Sequence, residues 1–435
     1  MKGALLFAQS GGPTAVINSS ACGVFQEAKK HPEITNIYAG LYGIDGVLSG
    51  NIIDINQEDD EQIELLKQTP SSALGSCRKK MPDYKKDEAP YKALVEVFKK
   101  YDVRYFIYNG GNDSMDTCNK VAKYCKLVGY DCAVVGVPKT VDNDLASTDH
   151  CPGFGSVAKY IATTIHEIAL DAHVFKNGRA VIVEIMGRDA GWITASAAIP
   201  ELLNGLGADL VYVPEKPFDL DLFTQQVKDV LAKNYTCVVA VSEGIKDKDG
   251  RYISEYAGEA QRDSFNHVQL GDVCFFLANH ITKNCGTKAR AIELSIVQRA
   301  AAHIVSTADR EEAYNCGAEA VKHAVAGANN VMISMQRVSS NPYKIEYVPA
   351  DLDTIANAVK ELPDEFIRED NCGITPAFLD YILPLIEGEA PVQYKNGIPR
   401  ATVLKKVIVN PDNKYFEISN NKKKQTLFSL LFLLY

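Results

Sequence analysis

Pro138-Lys139-Thr140-Val141-Asp142-Asn143-Asp144 brings a lysine, a hydroxyl and two acids into one short stretch. It follows Cys132-Ala133-Val134-Val135-Gly136-Val137, an apolar run that reads as a buried parallel strand. Pro138 lacks the N–H of a ladder residue, so the chain is expected to leave the sheet there. The polar groups then stand at a strand's carboxyl end, where open α/β sheets bind ligands. A base, a phosphate contact and a metal-side acid fit that position; so does a polar strand-to-helix turn without chemistry.

Two glycine turns stand upstream. Gly3 to Gln9 reads as a strand, Ser10-Gly11-Gly12-Pro13-Thr14 as a turn, and about Thr14 to Lys30 as a helix. Strand, glycine turn and helix N-terminus form an anion cradle, because small residues let backbone N–H groups approach phosphate oxygens. Val103 to Tyr108 is a second such strand, leading into Asn109-Gly110-Gly111-Asn112-Asp113-Ser114. Ser114 is the expected N-cap of a helix with Met115, Cys118, Val121, Ala122 and Cys125 on its core stripe. Asp113 beside that turn can favour the helix dipole, hold a metal, or fill space that a larger phosphate ligand needs. Between the two units, the polar loop from Thr69 to Asp83 carries Arg78, able to clamp a phosphate by paired hydrogen bonds if it faces the cleft.

Downstream, Phe154 to His173 reads as a helix whose His166 and His173 lack metal-ligand spacing. The strand Arg179 to Ile185 delivers Met186-Gly187-Arg188, with Arg188 placed to take an anionic substrate. Leu210 to Val213, Leu220 to Lys233 and Cys237 to Val241 form a further strand–helix–strand unit ending in Ser242-Glu243-Gly244. Arg290 and Arg299 follow nine residues apart, and Val331 to Val338 and Ile345 to Val348 are late strands. Strands alternate with helices throughout, which predicts an α/β protein of two doubly wound, mainly parallel-sheet Rossmann-like domains.

At 435 residues the chain exceeds the ~250–300 over which a single core grows, so two domains are the default. Its net charge of −9 argues against a nucleic-acid binder and means that a polyphosphate must meet local cations and helix N-termini. Eleven cysteines with no CxxC pair read as buried thiols in a reducing compartment. Lys2 and Gly3 run straight into a strand, without the pattern of a signal peptide. The apolar run Leu427 to Tyr435 is far short of the ~20 residues of a membrane-spanning helix, and a packed or frayed end is expected.

Taken together and in order, Ser10-Gly11-Gly12-Pro13-Thr14, Gly110-Gly111-Asn112-Asp113-Ser114, Pro138 to Leu145, Met186-Gly187-Arg188, Ser242-Glu243-Gly244 and Gln298-Arg299 resemble the phosphofructokinase family. In detail they resemble its diphosphate-dependent branch. The resemblance implies an active site in the cleft between two domains. Residues 1–150 plus about 300–350 would form the larger, donor-binding domain, and 151–299 plus about 351–420 the smaller, sugar-phosphate-binding one. Residues 421–435 are a tail without a family counterpart.

The implied reaction is phosphorylation of fructose 6-phosphate at its 1-hydroxyl, giving fructose 1,6-bisphosphate, expected to run in both directions and to serve glycolysis and gluconeogenesis. Asp142 would be the general base, Thr140 a contact of the phosphoryl group in transit, and Asp144 the magnesium-side acid. Val141, Met186, Gly187, Arg188, Glu243 and Arg299 would join Thr140 and Asp142 around the sugar phosphate. Arg179 and Arg290 match arginines that reach in from a neighbouring subunit, implying a homodimer or homotetramer. Gly11, Gly12, Arg78 and Ser114 fall on the donor side, in a cytoplasmic enzyme with Mg2+ as cofactor and no membrane partner.

The donor follows from two residues. ATP-using relatives carry glycine at the position of Asp113, whose carboxylate would meet an α-phosphate with like charge and bulk. Lys139 matches the lysine of diphosphate users, which some ATP-dependent relatives also carry, and would neutralise the leaving phosphate. An ATP-dependent phosphofructokinase and a non-catalytic regulatory subunit are the alternatives, and sedoheptulose 7-phosphate is an alternative acceptor. Two positions depart from the pattern: Asn112 replaces an aspartate on the magnesium side, and Ile296 replaces a histidine or tyrosine at the sugar phosphate.

Overall fold

The computed structural model describes residues 1–174, 178–256, 271–355 and 359–409. The tail expected to pack or fray lies outside the described residues. Two sheets carry the molecule. The first has seven strands: β1 (Gly3–Gln9), β2 (Ile34–Gly40), β3 (Ile52–Asp54), β4 (Val103–Gly110), β5 (Ala133–Pro138), β10 (Val331–Ser340) and β11 (Tyr343–Asp351). Their spatial order is β11-β10-β5-β4-β1-β2-β3, parallel except at the two edges, where β3 and β11 run antiparallel to their neighbours. The second sheet is fully parallel, in the order β7 (Leu210–Tyr212), β8 (Cys237–Ser242), β6 (Ala180–Ile185), β9 (Ala289–Glu293).

Alternation along the strands builds a core on both faces of each sheet. In β1, Leu6 and Ala8 face the core that holds Phe106 and Met115, whereas Leu5 and Phe7 face the one that holds Phe25 and Val321. In β6, Val181, Val183 and Ile185 pack with Trp192, and Ala180 and Ile182 pack with Phe223 and Leu277 on the opposite side. Central strands buried on both faces require the near-continuous apolar runs that made them legible.

Seven helices of twelve or more residues are present among the described residues: α1 (Ile17–Ala28), α2 (Ala89–Lys100), α3 (Asn112–Leu127), α4 (Phe154–Ala172), α5 (Leu220–Asn234), α6 (Val273–Asn284) and α7 (Thr307–Val325). None is long and apolar enough to cross a membrane. The first helix starts later than expected, because the Thr14 hydroxyl accepts the Val16 N–H at 3.1 Å and holds an open turn. Helices α1 and α7 meet at backbone distance: a Cβ on Gly23 would stand 2.0 Å from the Tyr314 carbonyl oxygen, and one on Gly317 2.1 Å from that of Ser20. That contact returns the chain from the second sheet to the first.

The span from about 351 to 420, expected with the second unit, divides. Leu362, Phe366, Phe378 and Leu385 lie in the core around Trp192, but Leu352 and Ile355 directly follow β11 and pack against the first sheet. Residues 407–409 run along β3, where the Val407 carbonyl accepts the Asp54 N–H and the Val409 N–H donates to the Ile52 carbonyl. An edge strand has open N–H and C=O groups, and this segment covers them. All eleven cysteines are free; Cys77 and Cys285 are half-buried and the rest buried.

Candidate active site

The first sheet reverses its direction of growth between β1 and β4, the kind of switch point at which doubly wound sheets bind ligands. The loops leaving β1, β4 and β5 meet there around a cleft of about 230 Å3. Gly11, at φ +77°, turns the chain after β1 and donates its N–H to the Cys77 carbonyl at 3.1 Å. That bond brings the Arg78 loop to the cleft. Lys139 faces the same turn, since a Cβ on Gly11 would stand 3.0 Å from its Nζ. Arg299 reaches it from the far side: a Cβ on Gly12 would stand 3.1 Å from Arg299 Nη1.

Asn112, Asp113 and Ser114 line the opposite wall. The helix there begins one turn earlier than expected. Gly111 is its N-cap, and Ser114 is a buried residue inside the first turn whose N–H donates to the Gly111 carbonyl at 2.9 Å. Asp113 stands at the mouth with its side chain 73 % exposed, 3.8 Å from Lys80 Nζ.

Past β5, Lys139 is buried, and burial lowers its ammonium to about 8 despite the charges of Asp142 and Asp144. Burial pushes the Asp142 carboxyl up, reinforced by the charges of Asp144, Glu243 and Asp189 and opposed by Lys139. Asp144 is raised too, first by burial, against hydrogen bonds from Thr140 and Asn112. The Thr140 Oγ1 also accepts the Asp142 N–H at 3.1 Å, which ties the hydroxyl to the backbone of the acid.

Asn112 Nδ2 donates to Asp144 Oδ2 at 3.1 Å, leaving Asn112 Oδ1 buried and without a hydrogen-bond partner among the described residues. One carboxylate and one unpaired amide oxygen fit a hard divalent cation that takes its remaining ligands from phosphate and water. They do not form a protein-only cage, and no group of three or more His, Cys, Asp or Glu side chains with ligand geometry occurs among the described residues.

The loops after β6 and β8 of the second sheet come near the transfer loop, where Glu243 and Asp189 act on Asp142 through their charges. Gly187, at φ +141°, donates to Glu243 Oε1 at 3.4 Å, and the Ser242 hydroxyl closes onto the Gly187 carbonyl. Burial raises the Glu243 carboxyl, against the Gly187 N–H and the charge of Arg188. Gln298, which stands beside Arg299 in the sequence motif without a role of its own, accepts the Met186 N–H at 3.2 Å and joins the arginine-bearing turn to the loop after β6. Ile296 is 60 % exposed. The structure does not bring Arg179 and Arg290 to this cleft. They flank the amino-terminal ends of β6 and β9 and line a separate recess of about 620 Å3 with Lys288.

The model of the family "Phosphofructokinase" matches residues 4–324. The chain is 44% identical to the pyrophosphate–fructose 6-phosphate 1-phosphotransferase of Xanthomonas campestris pv. campestris, over 94% of its own length and 97% of that protein's. It is 43% identical to the protein of the same name from Halomonas elongata, over 92% and 96% of the two lengths. The crystal structure of a pyrophosphate-dependent phosphofructokinase from Nitrosospira multiformis superposes with a TM-score of 0.86 at 41% identity, covering 94% of this chain and 98% of that one. A match of this extent places the chain in the phosphofructokinase family.

Proposed function

We propose that this protein transfers a phosphoryl group from diphosphate to the 1-hydroxyl of fructose 6-phosphate, giving fructose 1,6-bisphosphate and phosphate in a reversible reaction. The observation that carries the choice of donor is the pairing of Lys139, buried against the Gly11 turn, with Asp113 at the mouth of the same cleft. The cleft suits a small anion: its volume is below the ~300–1,000 Å3 usual for drug-sized ligands, and glycine backbone and cations line it.

Asp142 takes the proton of the attacking hydroxyl. A buried carboxyl raised toward neutrality is a stronger base than an exposed one and still ionises at working pH. Lys139 faces the charge that grows on the leaving phosphate, and Arg78 and Arg299 neutralise the rest from opposite sides. Gly11, Gly12 and Ser114 cradle the donor, and Thr140 orients the phosphoryl group as it crosses. Val141, Met186, Gly187, Arg188, Glu243 and Arg299 hold the sugar phosphate. A magnesium ion bound by Asp144 and Asn112 Oδ1 would neutralise charge on the phosphate oxygens.

Arg179 and Arg290, remote from the cleft of their own chain, serve the site of a neighbouring subunit in a cytoplasmic homodimer or homotetramer. The larger unit binds the donor and the smaller one the sugar phosphate. The exposure of Asp113 favours one alternative, ATP use with that side chain turned aside. Incubation of fructose 1,6-bisphosphate with phosphate tests the proposal in reverse. Diphosphate and fructose 6-phosphate are expected by phosphorus NMR, and their absence at saturating magnesium would contradict it.

A further inference from the structure

Asn143 lies between the two acids of the transfer loop and has a left-handed backbone, φ +56°. A non-glycine residue holds that conformation where its surroundings over-determine it. Here they do. Asn143 Oδ1 accepts the Cys151 N–H at 3.0 Å, and Nδ2 donates to the Tyr381 hydroxyl at 2.9 Å. The Tyr381 hydroxyl in turn donates to the Asp149 carbonyl at 2.8 Å.

A second strand of the same clasp comes from Lys360. Its backbone N–H donates to the Asp144 carbonyl at 2.8 Å. Its ammonium donates to the Asp149 carbonyl at 2.7 Å and the Thr148 carbonyl at 3.2 Å, and stands 3.4 Å from Asn143 Oδ1. Trp192 fixes the segment in place, its Nε1–H donating to the Lys360 carbonyl at 3.0 Å. Of the residues in this set only Asp144 lines the donor cleft, and apart from the Trp192 bond every bond ends on a residue between Asn143 and Cys151.

We infer that Lys360 and Tyr381 are positioning residues for the phosphoryl transfer. Together they lock Asn143 and the chain around it, so that the Asp142 carboxylate and the Asp144 side chain keep their separation through the reaction. Rate depends steeply on such placement, and displacement by about 1 Å can cost about a hundredfold. The inference rests on Asp142 being the base.

The test uses full-length Lys360→Met, which keeps the length of the side chain and removes its donors, beside Tyr381→Phe and Asp142→Asn. For each, kcat is measured with diphosphate at saturation, and fructose 6-phosphate affinity by calorimetry. For Lys360→Met the expected result is a fall in kcat of at least tenfold with sugar-phosphate affinity within threefold of the parent. Tyr381→Phe should show a smaller fall of the same kind. Unchanged kcat in Lys360→Met, with Asp142→Asn inactive, would overturn the clasp and leave the base in place. An equal loss of kcat and affinity would mark a general structural defect and also overturn it. Full turnover by Asp142→Asn would remove the base and the clasp together.

Discussion

The transfer loop and the rim of the donor cleft carry charge in opposite ways. Lys139, Asp142 and Asp144 are withdrawn from water, and burial drives their proton affinities toward each other: the lysine falls to about 8 and the acids rise. Asp113, Lys80 and Arg78 sit at the mouth in contact with solvent, and their ionic contact at 3.8 Å is loose. Buried groups of this kind hold fixed positions and tuned protonation, which is what proton and phosphoryl transfer require. Exposed ones screen and move, and their influence falls on which anion enters. In this cleft Asp142 therefore serves the chemistry and Asp113 the selectivity, while Lys139 serves both.

The largest effect that would sharpen this contrast is at the base. Asp142→Asn should lower kcat by about 10²–10⁴-fold, with sugar-phosphate binding largely kept. Lys139→Met should cost about 10²–10³-fold in kcat with diphosphate. The pH profile of kcat/KM separates the two buried groups. Asp142 works deprotonated and its affinity for the proton is raised, so the acid limb should lie above the ~4 of an ordinary carboxylate. Lys139 works protonated, so activity should fall as pH rises through about 8 in the free enzyme. Lys139→Arg, charged throughout this range, should lose that alkaline limb whatever its rate.

At the rim, Asp113→Gly should raise kcat/KM for ATP by at least tenfold and cost no more than about 1 kcal/mol of stability, the helix propensity of glycine. Loss of stability well beyond that, with no gain of ATP use, would break the separation. The smallest effect is expected at Asn112→Asp, where a second carboxylate beside Asp144 should tighten half-saturation by magnesium several-fold.

Much of this was legible in the sequence because it is local. A glycine turn after an apolar strand, or a polar run after one, carries its own signal, and β1, β4, β5, β6 and β8 were all anticipated near their observed limits. The strands left unread are those without such runs. Half-exposed β2 alternates weakly, and β9 has no fully buried residue. Helix α7 gives little apolar signal because its buried face, Val321 apart, is made of Ala, Gly, Cys and acids, matched to the close approach of α1.

The same limit applies to the site. Lys360 and Tyr381 act through contacts separated in sequence by 217 and 238 residues, and no spacing rule announces them; Gln298 stands in a legible motif, but its contact with Met186, 112 residues away, does not. The N-cap expected at Ser114 falls one turn earlier, at Gly111, which has no side chain to cap with.

The most direct test of the account is the ratio of kcat/KM for diphosphate to that for ATP, measured on the purified protein with fructose 6-phosphate and magnesium. The account predicts at least a hundredfold preference for diphosphate. Equal or better use of ATP would contradict it.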